Sequence, residues 1–542
     1  MIRVVFLRSF DRSMARLPSG ERAQARQALE RLLDHFSGGP KPLGMGLRKL
    51  RGSFWEIRLS IASRIVFLLE RDVATIVIDG DHDDIRRILR RSLPMKRSNL
   101  VVDAGFFLLV VAVPLAWSGA LIPEFTLAKF VLINVALALA AWGAVRRPEA
   151  LAAGRTDFDF PLLAGLFVVC LSAAASADPS TSLRGRFDSY AYGLWGLTLV
   201  AAVVQLAARS ARGREAVRAD WLIWSAALVG GYGVMQKFGF DPIFHFKNLP
   251  AGGRAVSTLG SPVDLGAMLA LAWPLSLWRV DTGRRPASVV AALLIAGGLY
   301  ACGSRGAWLG AAVGATAYWL MSRRRPGEAL LPSAGVALAA VGVAVAYSFR
   351  PGASISDIAR CEVWKTAWNV FAHSPLLGCG SDGFEDAFRL LRTDAFVAAM
   401  GPVHHQAYAH NDVLQVLASM GVVGASVYAV LLAALARTAR RALEPSEIRA
   451  LAAALVAGLL GLWVNLEFNP VAVEVLVFAA NFAGLLFSLT AEPPPSLLRR
   501  GPLLAAAVVA SFSLVSALGM AGADAVFKNG LRAQVSGNFA AA

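Results

Sequence analysis

From Asn99 onward the chain is a succession of apolar stretches of about 17–22 residues, each long enough to cross a hydrocarbon core roughly 30 Å thick as a helix. This pattern predicts a polytopic α-helical membrane protein of thirteen spans: 99–119, 126–145, 159–177, 191–208, 220–237, 262–280, 287–303, 306–322, 332–349, 411–436, 447–465, 471–489 and 502–520. Composition agrees. Hydrophobic residues make up 56% and charged residues 17%, against about 45–50% and about 25% in soluble domains. A net charge of +16 would suggest nucleic acid in a soluble protein, but in a membrane protein Lys and Arg collect in cytoplasmic loops.

The connections test that assignment. RRPEALAAGR, ARSARGREAVR, RVDTGRR, SRRRPGE, ARTARR and SLLRRG occupy alternate loops, and all are short and basic. They are expected in the cytoplasm. The opposite set, including IPEFT and NLEFNP, is poorer in positive charge. The N-terminus is therefore expected inside and the tail 521–542 outside. Two outer loops are long, 238–261 and 350–410, and long loops commonly carry function. The aromatics of CEVWKTAWNVFAH recur at helical spacing, which predicts a helix on the membrane face.

Residues 1–93 are different in kind. IRVVFL is a short strand, and Ser19 caps a predicted helix through ERAQARQALERLLDHF. FWEIRLSI, SRIVFLLER and VATIVIDG form a predicted antiparallel meander before a closing helix, DDIRRILRR. Residues 94–98 are a basic linker. Met95 opens MKRSNLVVDAGFFLLVV, a basic patch followed by an apolar run, as an independent membrane protein would start.

Candidate chemistry lies at the outer helix ends. Arg184, Arg186, Arg254, Arg305 and Arg360 sit near apolar boundaries, where a cation is costly unless paired or used; for Arg305, in the minimal turn CGSRGAW, the alternative is a snorkelling anchor. PLLGCGSDGF is Gly-rich enough to let backbone amides approach a ligand. His410 begins HNDVLQVLASMGVVG, and a helix N-terminus disfavours the imidazolium, which suits a neutral base; the alternative is a capping or packing role. His373, His404, His405 and His410 with Cys361 and Cys379 match no standard zinc spacing, so no metal and no cofactor are expected. Cys361 and Cys379 share one loop, which leaves a disulfide open.

In order, SRGAWLG, then R…W…A…PLLG.G…F, then AHND.LQ.L...G..G resemble the O-antigen ligase family, which includes O-antigen ligases, Wzy-type polymerases and protein O-oligosaccharyltransferases. The diagnostic motifs fall in about 250–430, and ADPSTSLRGRFDSYAYG resembles such a protein's first outer loop. The resemblance, taken over 99–520, implies a GT-C-like glycosyltransferase of a bacterial inner membrane. It implies a donor glycan on undecaprenyl diphosphate, and as acceptor a hydroxyl of lipid A–core, of a growing glycan or of a protein, with lipid A–core favoured. Arg305 and Arg360 would hold the diphosphate with His410 as base, while Arg254, Arg184, Arg186 and Asn411 would bind diphosphate or glycan. Another reading, a multi-span glycan or lipid transporter, would call for broken helices, midplane charges and internal repeats.

LRKLRG leading into FWEIRLSIASRIVFLL and IDGDHDD resembles the RelE/ParE toxin superfamily. This implies RNA-facing Arg48, Lys49, Arg51, Arg58 and Arg64, with His82 as acid/base and a ribosome or antitoxin as partner; the alternative is a set of solvated strand-face charges. A membrane-tethered toxin is the corresponding reading of the whole chain.

Overall fold

The computed structural model describes residues 3–6, 14, 19–36, 48–49, 54–58, 64–70 and 73–80, then 100–122, 124–148, 151, 156–187, 189–211, 213–245, 249, 253–283, 285–323, 353–445, 448–491 and 500–535. The chain forms two compact units, Met1–Ser98 and Asn99–Ala542.

In the first unit β1 (Arg3–Phe6), α1 (Ser19–Phe36), β2 (Arg48–Lys49), β3 (Phe54–Arg58), β4 (Arg64–Glu70) and β5 (Val73–Gly80) make one sheet and one helix. The strand order is β1-β5-β4-β3-β2, with β1 parallel to β5 and the other pairs antiparallel. Ala25, Leu29 and Leu32 recur on one face of α1 and bury with Ile57, Ile65, Phe67 and Ile76. The expected meander is β3–β4–β5. Arg48 and Lys49 lie on the edge strand β2, and Arg58 stands directly opposite Arg64. Arg51, His82 and the expected closing helix lie outside the described residues.

The second unit is helical. Its elements are α2 (Leu100–Leu115, with a π turn at Leu108–Ala112), α3 (Thr126–Arg146), α4 (Asp159–Ala174), α5 (Pro179–Arg184), α6 (Leu194–Ser210), α7 (Glu215–Lys237), α8 (Pro262–Gly283), α9 (Pro286–Cys302) and α10 (Arg305–Ser322). These are followed by α11 (Ala353–His373), α12 (Phe384–Leu391), α13 (Asp394–Met400), α14 (Asp412–Leu443), α15 (Arg449–Leu466), α16 (Val473–Thr490) and α17 (Arg500–Val535). Every expected span falls on a helix except 332–349, which lies outside the described residues. Among the described residues, six helices are long and apolar enough to cross a membrane by length and composition alone, and four more are apolar but shorter. Those six are fewer than the thirteen spans expected. Among the remainder, α7 carries Glu215, Arg218, Asp220 and Lys237, and Gly and Ala dilute the apolar character of α10. The chain is a polytopic helical membrane protein.

The two ends of the bundle differ. At one end Arg209 pairs with Asp159 (3.0 Å), Arg279 with Asp220 (2.7 Å), Arg441 with Asp157 (2.6 Å) and Arg214 with Asp103. The other end gathers the loop before α3, the α4–α6 and α7–α8 connections, the segment from α11 to His410 and the α15–α16 loop. There Lys528 of α17 pairs with Glu124 (2.9 Å), Trp117 meets Phe244 edge-on, and the Val473 amide donates to the Ser189 carbonyl (3.1 Å).

Two glycine patterns set this second end. The first lies in α10, where Gly306, Gly310 and Gly314 form a stripe against α15. A Cβ on Gly310 would collide with the Gly461 carbonyl, and one on Gly306 with the Asn469 amide. Small residues at this spacing let membrane helices approach closely. Gly303, in the left-handed conformation, ends α9, and Ser304 caps α10, so the turn between the two helices is minimal.

The second pattern breaks α14. Gly421 is non-helical (φ 63°, ψ −164°), and the 374–380 loop fills the break. The Val422 amide donates to the Pro375 carbonyl (2.8 Å), while Cys379 and Gly380 amides donate to the Ala418 and Ser419 carbonyls (2.9 and 3.1 Å). The Ser172 hydroxyl of α4 donates to the Ser419 carbonyl (2.8 Å). Irregular backbone at membrane depth persists only when protein satisfies it, as here. PLLGCGSDGF was expected to offer amides to a ligand; its Cys379 and Gly380 amides are spent on α14 instead.

Candidate active site

His410 sits in the turn before α14 with φ 53°, a conformation a non-glycine residue holds only when its surroundings fix it. Three side chains do so. Gln415 accepts the Ala409 amide (2.7 Å) and donates to the Ser419 hydroxyl (2.9 Å). Trp364 of α11 donates its indole N–H to the His410 carbonyl (3.4 Å). Asn411 caps α14 by accepting the Leu414 amide (2.9 Å).

The imidazole Nε2 lies 3.2 Å from Gln406 Oε1. With Nε2–H donating there, Nδ1 carries the lone pair. It is buried and closes no hydrogen bond of ordinary geometry among the described residues. Burial, and then the Arg360 guanidinium, push His410 down to about 4, against a smaller opposing pull from the Phe468 backbone. The ring is therefore neutral at pH 7, and Arg360 is close enough to help keep it so.

The α15–α16 loop lies against this turn. Glu467 faces the Asn411 side chain and the Val413 backbone; burial and then the Asp412 charge hold its carboxyl above the usual range. Phe468 and Asn469 of the same loop pack on Gly306, next to Arg305. Arg254 precedes Ala255, whose amide donates to the Ala301 carbonyl (3.0 Å) at the end of α9. His410, Arg360 and Asn411 thus come together directly, with Arg305 beside the same supporting loop and Arg254 next to the end of α9. Arg254, Arg305 and Arg360 each engage in further interactions within the fold.

Arg184 and Arg186 lie apart, in a cleft of about 690 Å³ also lined by Asp178, Asp382, Glu385 and Asp386. Arg186 pairs with Glu385, its amide donates to Asp382 (2.6 Å), and its guanidinium stands 6.0 Å from the Tyr408 ring. It is committed to carboxylates, which weakens its expected role at a diphosphate. Tyr408, hydrogen-bonded to Ser189, separates this cleft from a crevice of about 10 Å³ lined by Tyr192, His410, Asn411 and Asp412. An apolar groove of about 340 Å³ runs along α4 from Phe158 to Val169 and ends at Tyr192, Asp382, Asp412 and Gln415. Tyr428 donates to Asp412 at that end. Cys361 and Cys379 are free thiols, so the disulfide left open in sequence is not formed.

The sequence reading missed Glu467, Gln415, Asp412 and Tyr408. The signal for Glu467 was a carboxylate at the close of an apolar run, where ionisable residues are costly; Asp412 and Gln415 stood in the motif AHND.LQ but were not singled out. Replacing Gln415 by Met removes the acceptor of the Ala409 amide and leaves a buried donor, a loss of about 1–3 kcal/mol. The variant is expected to insert normally and to lower turnover about tenfold, read as initial rate per folded protein; an unchanged rate would show that the turn holds without it.

Residues 290–429, about a quarter of the chain, match the family described as O-Antigen ligase. The matched stretch runs from α9 through the break in α14 and contains Arg305, Arg360 and His410. No curated protein matches the chain. The match supports a glycosyltransferase of the ligase and polymerase type.

Proposed function

We propose that the protein moves a glycan from undecaprenyl diphosphate to an acceptor hydroxyl at the periplasmic face of a bacterial inner membrane, with lipid A–core as the favoured acceptor. The observation that carries this reading is a buried histidine, close to the Arg360 guanidinium, in a crevice that shares Tyr192, Asp412 and Gln415 with the end of an apolar groove. The arginines gathered at the opposite end of the bundle support this face. The lipid chain lies in the groove along α4, and the glycan occupies the cleft that holds Arg184 and Arg186.

In the transfer step the acceptor oxygen attacks the anomeric carbon opposite the diphosphate. The bond from that carbon to the diphosphate oxygen breaks, the lipid diphosphate leaves with the electron pair, and the configuration inverts. The hydroxyl proton passes to His410 Nδ1. Arg360 and Arg305, with Arg254, hold the diphosphate, since guanidinium groups grip phosphate bidentately and stay charged. A Wzy-type polymerase or a protein O-oligosaccharyltransferase uses the same chemistry on another acceptor. Transport is the reading from a different class. The broken helix α14 would suit it, but the break is closed by backbone pairing with 374–380 rather than open to a pathway. Residues 1–93 lie outside the matched stretch; for them we retain the RelE/ParE-like reading, with independent translation from Met95.

The test is a pH profile. A base held at about 4 is in its proton-accepting form throughout the neutral range. The acid limb of kcat/KM is therefore expected near pH 4, not near about 6.5 where a free histidine titrates. A diphosphate bound on Arg360 cancels the charge that opposes protonation, so the limb in kcat should lie at higher pH. Arg360→Gln should shift the kcat/KM limb upward. A limb near 6.5 that ignores Arg360 would count against His410 as the base.

A further inference from the structure

Lys129 of α3 is a lysine inside an apolar span with no exposed side-chain surface. Its ammonium lies 3.6 Å from Glu474 of α16, itself 1% exposed, and donates to the carbonyls of Thr258 (2.9 Å) and Phe125 (3.2 Å). Asp264 of α8 completes the cluster and accepts the Ala472 amide (2.9 Å). Two carboxylates and one ammonium buried together are expensive unless each is held by specific partners.

We propose that Lys129 is a positioning residue for the transfer centre, acting on it through the 254–260 and 467–472 loops. The proposal rests on reading that centre as the place of glycan transfer. Thr258 belongs to the loop that starts at Arg254 and is tied to the end of α9 through Ala255. Ala472 and Glu474 close the loop whose Glu467, Phe468 and Asn469 lie against the His410 turn and Gly306. Lys129 thus touches both loops, one by a direct hydrogen bond and the other through Glu474, beside Asp264, which holds the Ala472 amide. If it is lost, Arg254 on one loop moves relative to the histidine supported by the other. A misplacement of about 1 Å costs about 10²-fold in rate, and it falls on the reacting geometry more than on the grip on lipid.

Lys129→Met leaves two carboxylates without their cation and is expected to lose folded protein. The informative variant is Lys129→Met/Glu474→Gln, which removes the tether while keeping the net charge of the cluster as in wild type. It is studied as the full chain in liposomes beside wild type. Without substrate, hydrogen exchange in peptides covering 254–260 and 467–473 is expected to quicken in both loops. With donor and acceptor, kcat is expected to fall about 10–100-fold while the donor KM changes less than about threefold. A merely structural role would reduce the amount of folded protein and leave kcat per folded molecule unchanged. Unchanged exchange in either loop, or unchanged kcat, overturns the proposal. If wild type transfers no glycan, the function reading fails and the catalytic part of this proposal is overturned with it, whatever the exchange shows.

Discussion

Replacing His410 by alanine is expected to lower glycan transfer about 10²–10⁴-fold, the usual worth of a positioned general base, without loss of insertion. His410 is held by its backbone and by Gln415 on the neighbouring residue, so removing the imidazole leaves the Ala409 amide, the Asn411 cap and the start of α14 in place. Arg360→Ala removes a cation from the leaving diphosphate, which typically costs about 10²–10³-fold. It also removes the charge that opposes protonation of His410. The two substitutions act on one transition state, so the double variant should lose far less than the product of the two single losses. Initial rates on reconstituted, correctly folded protein give the result. A full multiplicative loss would place the two residues in independent roles.

Gly421→Ala is expected to have the largest effect on folding. Gly421 takes a left-handed φ, and a Cβ there would collide with the Leu376 carbonyl group. The conformation costs a side-chain-bearing residue about 1–3 kcal/mol and overpacking about as much again. Neither can relax without releasing the backbone pairing of 374–380 on α14. Gly378→Ala meets the other side of the same clasp, against Ser419 and Met420. Both variants should show lower thermal-aggregation midpoints in detergent and sharply reduced accumulation in membranes. By contrast, a Cβ at Gly519 or Gly522 of α17 meets nothing within 4 Å, and alanine there should leave the midpoint where it was. A wild-type midpoint for Gly421→Ala would mean that the break in α14 is not fixed by this contact.

Much of the membrane unit was legible because bilayer solvent imposes a simple rule, apolar length, and loop charge adds a second. Arg305, Arg360 and His410 were legible as members of ordered motifs, and the arginines also as cations at apolar boundaries. What sequence could not give was the meaning of the glycines between them. In HNDVLQVLASMGVVG the apolar pattern continues through Gly421 as if the helix did, and only the long-range pairing with 374–380 reveals the break. In SRGAWLG the glycines serve to bring α10 against α15, and that contact sets Arg305 beside the 465–469 loop. Lys129, Asp264 and Glu474 were not singled out in the sequence, because their convergence depends on three helices far apart in it. Arg186 could not be known to be spent on Glu385, because its partner lies on a separate helix of the long loop.

The most direct test of the central claim is transfer by the purified full-length protein in liposomes, supplied with undecaprenyl-diphosphate-linked glycan and lipid A–core. Product is read by mass beside Arg305→Ala, Arg360→Ala and His410→Ala. Wild type should form glycosylated lipid A–core and release undecaprenyl diphosphate one for one, and the three variants should insert normally yet transfer little. Undiminished transfer by all three would contradict the assigned site. Failure of wild type with lipid A–core, with a growing glycan and with a peptide hydroxyl alike would contradict the function itself.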